Sequence, residues 1–306
     1  MKDIRVIFMG TPDFAIAPLK VLLEKTNVVL VVTKKDAVVG RKKEIVASPV
    51  KRLALKNNIP VFTPESIRKD YETVLDYKPD LIVTCAYGKI VPKEILDYPK
   101  YGCINIHASL LPKYRGAAPI QWALINGEEK TGVTLMYMDE EMDTGDIIDK
   151  VEYKIQKDDD VGTLHDTLSK LGSELLLKNL SNIVGNKVNR IKQDNNLATY
   201  APMIERNMEE LDFSDNVENI YNKIRAFSPW PLTKTLISGE EIKIIKAHFT
   251  KEKSEINKLY ISKDSLGIGA KDGIIYFDII KPVGKKEMKV KDYLNGKRWQ
   301  YWKRGK

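Results

Sequence analysis

The stretch Gly102-Cys-Ile-Asn-Ile-His-Ala-Ser-Leu-Leu-Pro-Lys-Tyr-Arg-Gly116 decides how the rest of the chain is interpreted. Its apolar residues predict a short buried strand, and alternation along that strand places Asn105 and His107 on one face. Because Pro112 breaks the strand soon afterwards, both polar side chains stand at or near its carboxyl end. Open α/β sheets bind their ligands at that edge. The stretch therefore predicts a site as well as a strand.

Strand and helix patterns alternate on both sides of this stretch. Predicted strands cover residues 4–9, 28–32, 59–62, 81–86, 131–138 and 147–155, and predicted helices cover 14–23, 50–55, 67–75, 117–125 and 161–183. This order predicts an α/β, doubly wound, Rossmann-like domain with a mostly parallel sheet. The first turn, Gly10-Thr-Pro-Asp13, lacks the G-x-G-x-x-G spacing, which argues against NAD or FAD binding.

A second unit follows a polar stretch in which periodicity fades. We expect domain boundaries at 1–188 and 208–306, with a linker over 189–207. The second unit has one amphipathic helix at 217–227 and five short strand patterns. Those strands are predicted at residues 234–237, 242–247, 259–262, 266–270 and 273–280. One helix and five strands predict a small, OB-like β-barrel.

Composition excludes several classes of protein. The chain has 306 residues, is 43% hydrophobic, and contains no apolar stretch of the ~20 residues that a membrane span needs. We expect a soluble, cytoplasmic protein. Cys85 and Cys103 fall in predicted strands, where a small buried side chain is the simplest interpretation. With three histidines and no Cys/His cluster, no metal site is expected.

Positive charge is concentrated at two places. Residues 281–306 contain ten basic and two acidic side chains, so they carry an excess equal to the net +8 of the whole chain, and aromatic residues lie among them. The surplus loop 34–49 carries Arg41, Lys42 and Lys43 after a glycine. Such combinations are typical of nucleic-acid-binding surfaces, and the alternative is in each case a merely solvated segment.

Three side chains carry the expected chemistry. His107 can accept and return a proton near neutral pH, and the amide of Asn105 can donate to a developing oxyanion. Asp143 lies in an acidic loop after a neighbouring predicted strand and offers a carboxylate to the imidazole. Spacing alone does not place Asp143 beside His107, and it leaves a purely structural histidine as an alternative.

The chain resembles the formyltransferases that use 10-formyltetrahydrofolate. The motifs that carry the resemblance are Asn105-Ile-His-Ala-Ser-Leu-Leu-Pro112, Met138-Asp-Glu-Glu-Met-Asp-Thr-Gly-Asp146, Phe8-Met-Gly-Thr-Pro-Asp-Phe14, Ser48-Pro-Val-Lys51 and Arg225-Ala-Phe-Ser-Pro-Trp-Pro231. The resemblance implies a catalytic trio of Asn105, His107 and Asp143. It also implies folate contacts from Ser109, Leu110, Leu111, Pro112, Tyr87, Gly88, Ile90, Val91 and Asp139.

The basic segments indicate the acceptor within this family. Together with the resemblance, they imply that the enzyme formylates the α-amine of initiator methionyl-tRNA. We expect a monomer by default, and the transfer calls for no metal. The tRNA contacts implied are Arg41, Lys42, Lys43, Lys285, Lys286, Arg298 and Arg304. Two other functions stay open: an enzyme with the same trio that formylates a small amine or hydrolyses the folate, and a non-enzymatic RNA-binding protein.

Overall fold

The computed structural model describes residues 1–40 and 43–296. Its described part divides into two compact units. The first contains Met1–Pro119, Lys130–Lys154 and His165–Pro202, and the second contains Ile120–Glu129, Ile155–Leu164 and the chain from Met203 onward. In the described part, no helix is both long enough and apolar enough to cross a bilayer.

The first unit is built on a twisted central sheet. Its strands are β1 (Arg5–Gly10), β2 (Asn27–Val32), β5 (Val61–Phe62), β6 (Leu81–Cys85), β7 (Cys103–His107), β8 (Lys130–Tyr137) and β9 (Ile147–Lys154), in the spatial order β5-β2-β1-β6-β7-β8-β9. Pairs from β5 to β7 are parallel, and β8 and β9 are antiparallel. The predicted doubly wound α/β class is confirmed, with an antiparallel edge added.

Helices connect these strands. They are α1 (Ile16–Lys25), α2 (Pro49–Lys56), α3 (Tyr71–Leu75), α4 (Lys93–Leu96), α5 (Pro119–Ile125) and α6 (Val161–Val184). The α2 helix begins where Ser48 Oγ accepts from the Lys51 N–H, at 3.1 Å, which satisfies one of its free donors. The third helix is shorter than the predicted 67–75 and begins at Tyr71.

The central strands are apolar on both faces because helices cover the sheet. Every residue of β6 is buried, as is every residue of β1 after Arg5. The chain adds strands on one side of β1 up to β5 and then on its other side from β6, so the topological switch point lies between the parallel strands β1 and β6. Doubly wound sheets bind their ligands at the carboxyl ends of the strands at this point. Cys85 and Cys103 are buried free thiols, and burial raises the pKa of each.

The basic loop contains a hairpin that the sequence did not predict. Strands β3 (Ala37–Val39) and β4 (Glu44–Val46) pair antiparallel, with Val38 opposite Ile45. Gly40 turns the chain with φ +72°, a conformation that suits a residue without a side chain. The β-branched residues around it favour extended backbone. Arg41 and Lys42 lie outside the described residues.

The second unit is an antiparallel half-barrel sheet packed on one amphipathic helix. Its elements are α7 (Val217–Phe227), β10 (Thr233–Ile237), β11 (Glu240–Thr250), β12 (Leu259–Ile261), β13 (Leu266–Ala270), β14 (Gly273–Pro282), β15 (Met288–Lys289) and α8 (Val290–Asn295). The strand order is β10-β11-β14-β13-β12, and β15 also pairs with β14. The apolar face of α7, with Val217, Ile220 and Ile224, lies in the core. The predicted barrel-like fold class is confirmed, whereas β15 and α8 were not predicted.

The segment expected to be a linker makes specific contacts within the first unit. Ile191 and Ile147 form an antiparallel bridge, and Tyr200 forms a parallel bridge with Arg115. Main-chain hydrogen bonds from Thr199 and Ala201 follow the same course along residues 112–118. The boundaries 189–207 stay a prediction, but residues 191–201 contact β9 and the residues 112–118 that follow the strand with His107.

Candidate active site

Strand β7 presents the two polar residues of the opening stretch. It lies between β6 and β8, with Asn105 opposite Thr84 on one side and His107 opposite Thr134 on the other. His107 is only 6% exposed, and Asn105 is half-buried. His107 is the last residue of the strand and Asn105 lies two residues before it, at or near the carboxyl end as predicted.

The position of one proton on His107 follows from its neighbour. His107 Nε2 lies 2.8 Å from the main-chain oxygen of Tyr114, and a carbonyl oxygen can only accept, so Nε2 carries hydrogen. In the neutral imidazole, Nδ1 is then the acceptor. It faces Asp143 Oδ2 at 3.6 Å, which is longer than a direct hydrogen bond. The free lone pair of His107 therefore points toward Asp143.

Asp143 lies in the loop between β8 and β9. Its carboxylate accepts from the Gly116 N–H at 2.9 Å, and Asn105 Nδ2 lies 3.4 Å from its other oxygen. The backbone at Asp143 has φ +57°, which is uncommon for a residue with a side chain. The structure thus brings Asn105, His107 and Asp143 together, although they are separated by up to 38 residues in the sequence.

Thr84, which the sequence did not single out, orients Asn105. Its hydroxyl donates to Asn105 Oδ1 at 2.8 Å. Because that contact uses the amide oxygen, the NH₂ group points away from Thr84, and it donates one hydrogen toward Asp143 Oδ1. An amide donor aimed in this way suits a negative charge that develops on a carbonyl oxygen.

The loop after β7 is held from two strands. Thr134 on β8 donates to the Ser109 carbonyl at 2.7 Å and accepts from the Leu111 N–H at 3.1 Å, while Lys150 on β9 donates to the Leu111 carbonyl at 2.8 Å. The Ser109 hydroxyl donates within the loop, to the carbonyl of Lys113. Ser109 and Leu111 are buried, whereas Leu110 and Pro112 are half-buried, so main-chain atoms and the latter two side chains are the parts that could meet a ligand.

The other residues predicted to contact folate lie after β6 and β8. Tyr87 and Val91 are buried with the core of the first unit, whereas Ile90 is 69% exposed and Asp139 is exposed. Gly88 has φ +69°, which a side chain would strain. In the described part of the chain, no partner lies within hydrogen-bonding distance of the buried Tyr87 hydroxyl. Burial raises the pKa of Tyr87 to about 12.

The residues predicted to bind tRNA are only partly described. Lys43 follows the hairpin turn and is exposed, and Lys285 and Lys286 are exposed in the turn between β14 and β15. Arg41, Lys42, Arg298 and Arg304 lie outside the described residues. Among the described residues, no group of three or more His, Cys, Asp or Glu side chains is placed to hold a metal ion.

Arg115 and Gln193 also belong to this site. Arg115 is 2% exposed, and its guanidinium donates to the side-chain oxygens of Gln193 and Asn195. Gln193 in turn donates to main-chain oxygens of the loop that carries Asp143. Arg115 was visible within the opening stretch, but Gln193 fell in the polar segment interpreted as a linker, where no periodic signal marked it.

Fold and site together define a class: a two-unit α/β enzyme with an amide, an imidazole and a carboxylate at the carboxyl end of its sheet. The family model described as Formyl transferase matches residues 3–180, and the one described as Formyl transferase, C-terminal domain matches residues 203–298. The chain belongs to the formyl transferase family. The resemblance seen in the motifs is confirmed, and the protein is a formyltransferase.

Several relatives match along almost their whole length. Methionyl-tRNA formyltransferase of Bacillus licheniformis is 46% identical over 299 residues, covering 95% of each chain. The same enzyme of Bacillus subtilis is 46% identical, covering 95% of this chain and 94% of the relative, and that of Staphylococcus epidermidis is 45% identical, covering 95% and 96%.

Solved structures share the fold at lower identity. A sugar 3N-formyl transferase, crystallised with dTDP and 5-N-formyl-THF, superposes with a TM-score of 0.67 at 24% identity, covering 92% of this chain and 99% of its own. An N-formyltransferase from Helicobacter canadensis, in complex with folinic acid and dTDP-3-aminofucose, gives 0.68 at 24% identity, covering 93% and 100%.

Proposed function

We propose that this formyltransferase moves the formyl group of 10-formyltetrahydrofolate to the α-amine of initiator methionyl-tRNA. The observation that supports the reaction is that the side chains of Asn105, His107 and Asp143 lie close together near the carboxyl end of β7. The acceptor is supported by the relatives at 45–46% identity, all named for this activity. The product would be N-formylmethionyl-tRNA for translation initiation.

The geometry supports different roles for Asn105 and His107 in the transfer. The attacking amine forms a bond to the formyl carbon, and negative charge develops on the formyl oxygen. The NH₂ group of Asn105, aimed by Thr84, is the donor placed to stabilise that charge. The bond from carbon to the folate N10 then breaks, and the amine loses a proton while N10 gains one.

His107 is placed to move that proton. Its Nδ1 carries the free lone pair, because Nε2 donates to Tyr114. When Nδ1 takes the amine proton, the ring becomes a cation 3.6 Å from the Asp143 carboxylate, which stabilises it without a direct hydrogen bond. A water molecule can bridge this distance and assist the transfer to N10. The protonated ring also adds to the stabilisation of the oxyanion.

The surroundings of Tyr87 fit a folate. A buried hydroxyl without a described partner is costly unless a ligand satisfies it, and the pterin and its substituents are rich in polar atoms. Bound there, the folate supplies a formyl group on a nitrogen that can leave. Gly88, Ile90 and Val91 follow β6, residues 109–112 follow β7, and Asp139 lies in the loop that carries Asp143.

The basic segments are the proposed tRNA contacts. Lys43, Lys285 and Lys286 are exposed, so their charges are accessible to phosphates. Residues 1–188 would form the catalytic domain, 189–207 a linker and 208–306 a tRNA-binding domain. The proposed enzyme is a monomer, acts in the cytoplasm and uses no metal.

A comparison of acceptors tests this function. The purified chain and labelled 10-formyltetrahydrofolate are incubated with methionyl-initiator tRNA, with a dTDP-linked amino sugar, with a purine-pathway amine or with no acceptor. We expect kcat/KM for methionyl-tRNA to exceed the value for each small amine by at least ~10³. Equal or faster transfer to a small amine would overturn the assigned acceptor, and hydrolysis without any transfer would overturn the transferase assignment.

A further inference from the structure

Gln193 joins two loops of the site through a single side-chain amide. Its Nε2 donates to the main-chain oxygens of Asp143 and Gly145, at 2.8 Å each. Its Oε1 accepts from Nε and Nη2 of Arg115, at 3.1 and 2.8 Å. Both amide hydrogens and the amide oxygen are therefore engaged.

The orientation of this amide is fixed by its partners. A guanidinium group can only donate, and main-chain carbonyls can only accept, so the oxygen must face Arg115 and the nitrogen must face the loop. A carboxylate of the same shape could replace the contact to Arg115. It could not replace the two contacts to the loop, because its oxygens would face other oxygens.

The loop needs such a restraint. Asp143 has φ +57°, and a residue with a side chain adopts this conformation only where its surroundings hold it. Gln193 binds the carbonyls on either side of Thr144, so it fixes the main chain directly after the Asp143 side chain. The loop also lies close against β8, since a Cβ on Gly145 would be 2.0 Å from the Tyr137 oxygen.

Arg115 connects the Gln193 amide with the segment that binds the Asp143 carboxylate. It is buried, and its N–H and carbonyl bond to Thr199 and Ala201 along the strap formed by residues 191–201. The next residue, Gly116, donates its N–H to the Asp143 carboxylate at 2.9 Å. Gln193 and Arg115 thus connect the main chain behind Asp143 with the main chain that binds its carboxylate.

We propose that Gln193, supported by Arg115, is a positioning residue that sets the distance and direction from the Asp143 carboxylate to Nδ1 of His107. The proposal rests on the proposed function, because it presumes that Asp143 acts on His107 during proton transfer. Gln193 is then a part of the catalytic site and not only of a connection between two domains.

The substitution Gln193→Glu distinguishes the contact of this side chain with Arg115 from its contacts with the loop. It keeps the contact to Arg115 and removes both donors to the loop. We expect kcat for methionyl-tRNA formylation to fall about 10- to 100-fold, since a misplacement of about 1 Å can cost ~10²-fold in rate. KM for methionyl-tRNA should stay close to the wild-type value. The protein should still fold, with a melting temperature lower by a few degrees, because two main-chain oxygens lose their donor at a half-buried position.

Asn195→Asp is the matched control. Asn195 Oδ1 also accepts from Arg115 Nη2, at 2.8 Å, so a carboxylate there brings the same charge to the same guanidinium. None of the described hydrogen bonds of its side chain reaches residues 143–145. We expect kcat to change less than 2-fold. A loss as large as that of Gln193→Glu would show that charge beside Arg115, and not the loop, explains the effect, and would overturn the proposal.

A double-mutant cycle with Asp143→Asn completes the test. If Gln193 acts through Asp143, then Gln193→Glu should cost less than about 2-fold in the Asp143→Asn background, because the group that it positions is already disabled. The same fold-loss in both backgrounds, or wild-type kcat for Gln193→Glu beside a disabled Asp143→Asn, would overturn the positioning role alone. Wild-type kcat for Asp143→Asn would overturn the proposed role of Asp143 and the positioning role with it.

Discussion

His107 Nε2 lies 2.8 Å from the carbonyl oxygen of Tyr114, and this one contact determines which nitrogen is free for chemistry. Because the carbonyl can only accept, the neutral ring has its lone pair on Nδ1, which faces Asp143. Tyr114 belongs to the turn that follows the SLLP motif, and its N–H is held by the Thr199 hydroxyl at 2.9 Å. The strap 191–201 therefore supports the imidazole as well as the aspartate loop.

Removing the Thr84 hydroxyl should release the Asn105 amide. In Thr84→Val the amide oxygen loses the donor 2.8 Å away, so the NH₂ group is no longer held toward the reacting carbonyl. We expect kcat to fall about 5- to 10-fold, as for one neutral hydrogen bond of roughly 1 kcal/mol, and Thr84→Ser to restore most of it.

The control for Thr84→Val is Thr233→Val in the second unit. Thr233 is also fully buried, but its hydroxyl has no partner among the described residues, so its removal should leave activity unchanged and stability equal or higher. Steady-state kinetics and melting temperatures of all three variants check the prediction. Wild-type kcat for Thr84→Val would contradict the orientation assigned to Asn105.

Tyr87→Phe should affect folate binding and free-protein stability in opposite directions. Without folate, the variant loses a buried hydroxyl that lacks a described partner, so stability should be unchanged or raised. With folate, a hydrogen bond is lost, and KM for the folate should rise about 5- to 10-fold, for a bond of roughly 1 kcal/mol. An unchanged KM would remove Tyr87 from the folate site.

The same tyrosine predicts a difference at high pH. Tyr87 in the folded protein has a pKa of about 12, and in the unfolded chain it ionises near 10. Its raised pKa therefore contributes stability that is fully present below about pH 10 and is lost as pH rises toward 12. Chemical unfolding between pH 9 and 12 should show a smaller loss of stability for Tyr87→Phe than for the wild type.

Gly145→Ala should displace the aspartate loop. The new Cβ would lie 2.0 Å from the main-chain oxygen of Tyr137, so the backbone has to move. We expect at least a ~10²-fold loss of kcat, because the carboxylate of Asp143 would move by an ångström or more. Gly296→Ala, with 3.6 Å to its nearest neighbour, should keep full activity. Equal activities of the two variants would contradict the importance of this loop.

The second unit should show its role in the salt dependence of tRNA binding. If Lys285 and Lys286 each contact a phosphate, their joint replacement by alanine should lower the slope of log Kd against log salt by about 1 to 2. KM for folate should not change. A slope equal to that of the wild type would place Lys285 and Lys286 outside the interface.

Arg41→Ala should likewise weaken the use of tRNA and leave folate binding intact.

Much of the fold could be predicted because each strand and helix leaves a local pattern of apolar and polar residues in the sequence. The alternation of strands and helices predicted the sheet of the first unit, and the amphipathic pattern of residues 217–227 gave the bounds of α7 correctly. The hairpin of β3 and β4 was missed because its residues are exposed: Val38 and Ile45 are 65% and 75% accessible, so burial leaves no pattern in the sequence.

The site was predictable only in part, for a related reason. Asn105 and His107 share one strand, so their spacing alone places them on one face. Asp143 could be proposed as a partner from its acidic loop after a neighbouring predicted strand and from the resemblance, but its contact with Gly116 depends on the folded structure. Gln193 and Thr199 act through polar contacts in an irregular segment, and neither hydrophobic periodicity nor composition marks such residues.

The most direct test of the account is the rate of formyl transfer to methionyl-tRNA in His107→Ala, with the folate dissociation constant measured in parallel. His165→Ala is the control, since the contacts of His165 are with Asp166 and Phe14. The account predicts a loss of about 10² to 10⁴ in kcat/KM for His107→Ala, with folate affinity and melting temperature near the wild-type values and an active control. Near-normal turnover by a folded His107→Ala protein would contradict it.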